Sequence, residues 1–214
     1  LDINKLKKSD ILWLVNHRCS HHHDYLSHIK CAERDNVPFV SDKVLLFDLE
    51  TSYNLGAFWG KSWETDIVSI TEYGKILCFA GKWLDGKMMF YGWNEKRLLR
   101  ELWKLFDEAD VVVAHNGKQF DVKWATTKFI QYGLPHPSKY KVFDTLKEAK
   151  KQLYLPSYKL NDISDYFGLG QKVEHEGLSL WKKCIKGDKK ARKKMELYNI
   201  RDVALLEKLY YKLV

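Results

Sequence analysis

Residues 44–50, Val-Leu-Leu-Phe-Asp-Leu-Glu, constrain the fold of this chain more than any other stretch. Four apolar residues in a row, without alternation, need cover on both faces, as in the central strand of a sheet with helices on each side. A half-exposed surface strand would alternate instead. The run ends in Asp48 and Glu50, whose side chains share one face because a strand repeats every two residues. Ionised carboxylates leaving a buried strand together are costly unless a cation or strong hydrogen-bond donors compensate them. The same pair could also lie past the strand end in water, and the strand alone does not decide between the two.

The rest of the chain supplies layers for such a sheet. Strands are expected at residues 66–71, 75–83 and 87–91, the last two joined by a tight Asp85-Gly86 turn, and again at 111–114. Residues 95–109 carry Leu98, Leu99, Leu102, Leu105 and Phe106 at helical spacing. Residues 120–131 form a further helix closed by Gly133 and Pro135. Beyond Val142-Phe143 the chain reads as mostly helical, with breaks at Pro156, residues 168–170 and Gly187. Antiparallel-looking strands followed by alternating strand and helix predict an α/β domain with a mixed sheet flanked by helices.

With 214 residues, 45% apolar and 14% aromatic, the chain can build a core and is not a disordered polyelectrolyte. Its apolar runs last a few residues, far short of the ~20 that span a bilayer. No charged segment followed by an apolar run opens it, so a retained signal peptide is not expected. Leu1 in place of Met suggests trimming upstream. Four cysteines do not make a disulfide scaffold, and a reducing, cytoplasmic setting is expected. The net charge of +8 is concentrated. Residues 182–194 hold eight Lys or Arg against Asp188, a +7 patch of the kind that attracts a polyanion by releasing its counterions, or else a solvated helix face.

Two more acidic elements complete the pattern. After the strand at 111–114 comes His115-Asn116-Gly117-Lys118-Gln119-Phe120-Asp121, a turn that delivers Asp121 to the first turn of a helix at the sheet's C-terminal edge, where open α/β sheets bind ligands. The last helix carries Tyr198-Asn199-Ile200-Arg201-Asp202, with Tyr198 and Asp202 on one face and Val203, Leu206, Tyr210 and Leu213 as its docking stripe. Either element alone could be structural.

Taken in order, D-x-E, N-x-x-x-F-D and Y-x-x-x-D, over residues 43–214, resemble the three motifs of the DnaQ-like DEDD 3′–5′ exonucleases of the ribonuclease H-like superfamily. Tyrosine in the third motif points to the DEDDy subclass, close to the proofreading domain of family-B polymerases. The leader, with Asn16-His17-Arg18-Cys19, and Phe47-Asp48-Leu49-Glu50-Thr51-Ser52 are similar to phage-encoded stand-alone members. Because the third motif ends a dozen residues before Val214, no polymerase domain is expected in this chain.

The resemblance implies two Mg²⁺ or Mn²⁺ ions, Asp48 bridging both, Glu50 and Asp202 completing the nucleophile-side ion, and Asp121 holding the other through water. Tyr198 would orient the attacking water, since a phenol of pKa ≈ 10 is a poor free base. Asn116 and Phe120 would contact the terminal nucleotide, and Thr51 its 3′ end. Single-stranded nucleic acid, DNA preferred, is the implied substrate, with replication or repair proteins as partners and no membrane. Phe58, Trp59 and Trp63 offer a stacking platform or are packing residues. An exoribonuclease, a silent nucleic-acid-binding module and a zinc-anchored adaptor are the rival readings.

Residues 1–40 form a separate leader: a helix at 6–15, then a Cys/His knot. Cys19, His23, His28 and Cys31 are four ligands suited to a tetrahedral, structural Zn²⁺, a small zinc knuckle. His21 competes with His23, because spacing does not fix the register of the first pair. Cys78 and Cys184 read as packing residues, and His136 and His175 as solvated or structural.

Overall fold

The structure, a computed structural model, describes residues 14–35, 37, 42–60, 66–171, 173 and 176–214. The chain divides into two compact units, residues 1–43 and 44–214. In the first, the helix expected at 6–15 lies outside the described residues except for Leu14 and Val15, and a turn at Cys19–His23 precedes helix α1 (Ile29–Arg34).

In the second unit, the strands are β1 (Val44–Thr51), β2 (Leu55–Ala57), β3 (Ser69–Glu72), β4 (Ile76–Trp83), β5 (Met89–Gly92), β6 (Val111–Ala114) and β7 (Lys141–Asp144). Five of them form a sheet in the order β5-β4-β1-β6-β7. β4 runs antiparallel to β1 and β5, whereas β6 runs parallel to β1 and β7, so the sheet is mixed and β1 is its centre. The strand expected at 66–71 appears as β3, beginning three residues later and ending one later, and it leaves the main sheet to pair with β2. Its Ser-Ile-Thr-Glu sequence has one aliphatic side chain and stays mostly exposed, so nothing commits it to a two-sided core.

The helices are α2 (Glu95–Glu108), α3 (Asp121–Gln131), α4 (Thr145–Gln152), α5 (Leu160–Tyr166), α6 (Leu178–Ile185) and α7 (Lys189–Leu213). Asn94 starts α2 by accepting the Arg97 N–H, the bond that a helix N-terminus otherwise lacks. Leu98, Leu99, Leu102 and Phe106 then fall on one buried stripe.

The parity of β1 decides what each side chain meets. Leu45, Phe47 and Leu49 pack against that stripe and against Ala125 and Phe129 of α3. Phe47 meets Phe106 edge to face with ring centres 5.0 Å apart. Truncating either ring to alanine should cost ~3–5 kcal/mol. Val44 and Leu46 point the other way, to Val203 and Leu206 of α7. The period of two therefore turns Asp48 and Glu50 toward the face that α7 covers.

Candidate active site

Three segments deliver the acidic residues to one place. From β1 come Asp48, half-buried, and Glu50, 7% exposed. The pairing of β1 with β4 slips between Glu50 and Thr51, and this irregularity ends the regular alternation beyond the second acid.

The second segment is the turn from β6 into α3. Asn116 adopts a left-handed conformation with φ +62°, which asparagine tolerates better than most residues. Gly117 follows because a Cβ there would overlap the side chain of Ala114. The carbonyl of Asn116 accepts the N–H groups of Gln119 and Phe120, each at 3.1 Å. Asp121 thus opens α3 and is 3% exposed. Its Oδ1 accepts the backbone N–H of Leu49 at 3.1 Å.

The third segment is the middle of α7, where Tyr198 and Asp202 lie one turn apart and Asp202 is 3% exposed. Asn199 beside them is fully buried, and its Nδ2 donates to the Asp48 carbonyl at 3.1 Å and to Asp48 Oδ2 at 2.7 Å.

Asp48, Glu50, Asn116, Phe120, Asp121, Tyr198 and Asp202 all line one cleft of about 700 Å³. Of the residues expected at the site, Thr51 is the one that does not line it; it lies past the slip in register. Phe58 and Trp59 are exposed outside the cleft, and Trp63 falls outside the described residues. No residue of the basic run lines it either. Arg192 stacks its guanidinium on Trp93 at 4.7 Å, Lys194 pairs with Glu176 at 2.8 Å, and Lys193 with Glu196 at 3.0 Å.

The cleft has lysines of its own that sequence reasoning passed over. Lys150 of α4 and Lys159, next to Ser157 and Tyr158 in the loop before α5, line it. Their basic side chains were visible, but nothing local marked them as neighbours of residues ~100 positions away. Asp144 was also missed. At the end of β7 it accepts Asn116 N–H at 3.0 Å and Lys118 N–H at 3.1 Å while capping α4 through Leu146 N–H at 3.1 Å. One carboxylate thereby holds the turn that carries Asn116 and starts the next helix. An Asp before a helical stretch was the only available sign, and it is the ordinary sign of a cap.

The electrostatics favour a cation. Burial pushes the Asp121 carboxyl up to about 7, Asp144 adds repulsion, and the N–H groups of Leu49 and Asp121 itself only partly oppose this. The Tyr198 phenol is also pushed well above its ordinary range, first by burial and then by Asp202, Glu50 and Asp48; its hydroxyl donates to Asp202. It stays protonated at any physiological pH and can only donate or orient. His115 lines the cleft as well, but its ring nitrogens are engaged by Thr145 Oγ1 and the Tyr158 carbonyl, each at 2.9 Å. What remains is a set of carboxylate oxygens, the donor type of Mg²⁺ and Mn²⁺.

In the leader unit the Cys/His group has a tighter geometry. Donor atoms of Cys19, His21, His28 and Cys31 all lie within 4.8 Å of one another. His21 Nδ1 is 3.9 Å from Cys19 Sγ and 3.4 Å from Cys31 Sγ, and His28 Nδ1 is 3.6 Å from Cys31 Sγ. A zinc tetrahedron with bonds of ~2.0–2.3 Å has edges of roughly 3.3–3.8 Å, so these pairs lie close to such edges and the wider separations would have to close slightly around an ion. Of the two rivals that spacing left open, the cluster contains His21 and not His23. The Cys19 carbonyl accepts His22 N–H and Cys19 N–H donates to the His23 carbonyl, with His22 left-handed at φ +61°. This turn presents His21 to the sulfurs, whereas the His23 ring packs on His28 with centres 4.2 Å apart. Burial pushes the Cys19 thiol up, but hydrogen bonds from the backbone of His21 and His23 bring it net below its ordinary value.

A mixed sheet in this strand order, with helices on both faces and acids converging at its central strand, is the ribonuclease H-like architecture. The model of the RNase_H superfamily matches residues 71–214, and the chain belongs to that superfamily. Among solved structures, the family B DNA polymerase from the hyperthermophilic archaeon Pyrobaculum calidifontis is similar, with a TM-score of 0.61 and 18% identity over 82% of this chain. The chain spans 25% of that polymerase, and at this identity the likeness concerns the fold. Comparison with curated protein sequences finds no match. No helix among the described residues is long and apolar enough to cross a membrane.

Proposed function

We propose that residues 44–214 form a DEDDy-type 3′–5′ exonuclease that shortens single-stranded nucleic acid, DNA in preference to RNA, and releases nucleoside 5′-monophosphates. One observation carries this reading: Asp48, Glu50, Asp121, Tyr198 and Asp202, from three distant segments, line a single cleft. Binding alone does not require that set.

Asp48, Glu50 and Asp202 would hold one divalent cation, and Asp48 with Asp121 a second. When bound, Mg²⁺ or Mn²⁺ supplies the acidity that lets water attack a phosphodiester at neutral pH and neutralises charge at the leaving oxygen. Tyr198, held protonated, orients the attacking water. Phe120, 42% exposed at the cleft edge, offers a face on which a terminal base stacks. Lys150 and Lys159 meet the phosphates. Replication or repair is the setting in which a cytoplasmic, phage-type enzyme of this kind would work.

The test is a 5′-labelled oligonucleotide, as DNA and as RNA, with Mg²⁺, Mn²⁺ or EDTA, beside Asp48→Ala. Progressive shortening that disappears in EDTA and in the variant supports the reading. RNA shortened faster than DNA makes the enzyme an exoribonuclease, and binding without shortening makes it a nucleic-acid-binding module.

The leader would hold a structural Zn²⁺ on Cys19, His21, His28 and Cys31, a group too small to fold on apolar burial alone. Zinc content of the purified chain tests this, and a metal-free leader with all four residues intact refutes it.

A further inference from the structure

Asn199 lies in the third motif but has no part in the chemistry described so far. Its side chain is completely buried. Both atoms it meets on Asp48, the backbone carbonyl and carboxylate Oδ2, are acceptors. Only the NH₂ end of the amide can face them, so the orientation of the side chain follows from chemistry. Its Oδ1 consequently points elsewhere, buried and without a hydrogen-bond partner. A buried, unsatisfied acceptor in a native protein calls for an explanation, and an apolar residue on this helix face would avoid it altogether.

We propose that Asn199 is the positioning residue for Asp48. It sets the plane of that carboxylate for cation binding and acts on metal affinity rather than on substrate. The bond at 2.7 Å pins Oδ2, and the bond at 3.1 Å ties the same side chain to the backbone of β1, so rotation of the carboxylate and sliding of the strand are both resisted. The donor is neutral. Lysine or arginine in its place would also orient Asp48 but would cancel the charge that attracts a cation. An amide orients without neutralising, as outer partners of metal ligands commonly do. This proposal rests on the reading of the cleft as a cation-dependent nuclease site.

The experiment is Mn²⁺ binding to the full chain, followed by electron paramagnetic resonance without substrate, with Asp48→Ala defining the background. Asn199→Ala removes the donor, Asn199→Asp removes it at constant size, and Asn199→Ser is the mildest change. Melting in EDTA reports folding. Asn199→Ala and Asn199→Asp should weaken Mn²⁺ binding about 10–100-fold, and Asn199→Ala should regain most of its nuclease rate at saturating Mn²⁺. Affinity within twofold of wild type in the folded variants overturns the proposal; if Ala and Asp variants fail to fold, the same limit applied to Asn199→Ser decides. Wild-type protein that binds no Mn²⁺ above the Asp48→Ala background overturns the nuclease reading and this proposal together. Normal wild-type binding with unaffected variants overturns this proposal alone.

Discussion

The backbone N–H of Leu49 donates to Asp121 Oδ1 at 3.1 Å, joining residues 72 positions apart. The residue between the two acids of the first motif thereby holds the acid of the second. Its side chain is in the core under α2, so the donor is fixed by packing and Asp121 is oriented by the sheet itself.

That arrangement has a pH signature. The folded Asp121 carboxyl titrates at about 7, above its ordinary 3.8. Between those values the folded state binds more protons than the unfolded one, so stability must fall as pH rises from about 4 through about 7. In EDTA, the wild type should lose up to a few kcal/mol relative to Asp121→Asn on going from pH 5 to pH 8. Denaturant midpoints at the two pH values measure this, and Mn²⁺ should restore the wild type at pH 8. A gap between the two proteins that does not change with pH would falsify the claim.

Under the proposed function, Tyr198→Phe should lower the nuclease rate about 10–100-fold, the scale of a misplaced reacting group. The shape of the pH–rate profile should not change, because the phenol is held protonated far beyond the assay range. A lost alkaline limb in the variant would show that Tyr198 titrates during turnover.

Asp202→Ala should abolish activity to at least about 100-fold below wild type, beyond what outer partners of metal ligands usually contribute. Its melting temperature in EDTA should be unchanged or higher, since a buried carboxylate is removed. Activity and melting measured on one preparation separate lost chemistry from lost folding.

Asp144→Ala removes a helix cap and two bonds to the Asn116 turn. A cap alone is worth ~1 kcal/mol, so a total loss of about 2 kcal/mol is expected. That should appear as a fall of roughly 4–8 °C in melting temperature for a domain of this size.

In the leader, His21→Ala should abolish zinc retention and His23→Ala should keep it. Zinc released to a colorimetric chelator after denaturation reads both. The opposite pattern would assign the ligand to His23, the other reading that spacing left open.

The apolar run 44–47 was enough to call for a central two-sided strand, and the period of two was enough to put Asp48 and Glu50 on one side. Helical spacing identified α2 and the docking stripe of α7. These are local properties, set by backbone geometry and by the need to bury apolar faces. β2 was not expected, and β3, expected as a strand, could not be assigned to a separate small sheet, because that pairing depends on an exposed partner strand rather than on its own pattern.

Other facts depended on the tertiary structure. Which face of β1 meets α7, and hence that Asn199 holds Asp48, follows from packing between segments 151 residues apart. That Lys150 and Lys159 share the cleft with the acids, and that Thr51 does not line it, are likewise facts of packing. That the Cys/His cluster contains His21 rather than His23 goes with a turn in which His22 is left-handed. Sequence periodicity specifies which side of an element is apolar; it does not specify which distant element covers that side. Chain connectivity and close packing decide that, and they bring the acids of the three motifs into one cleft.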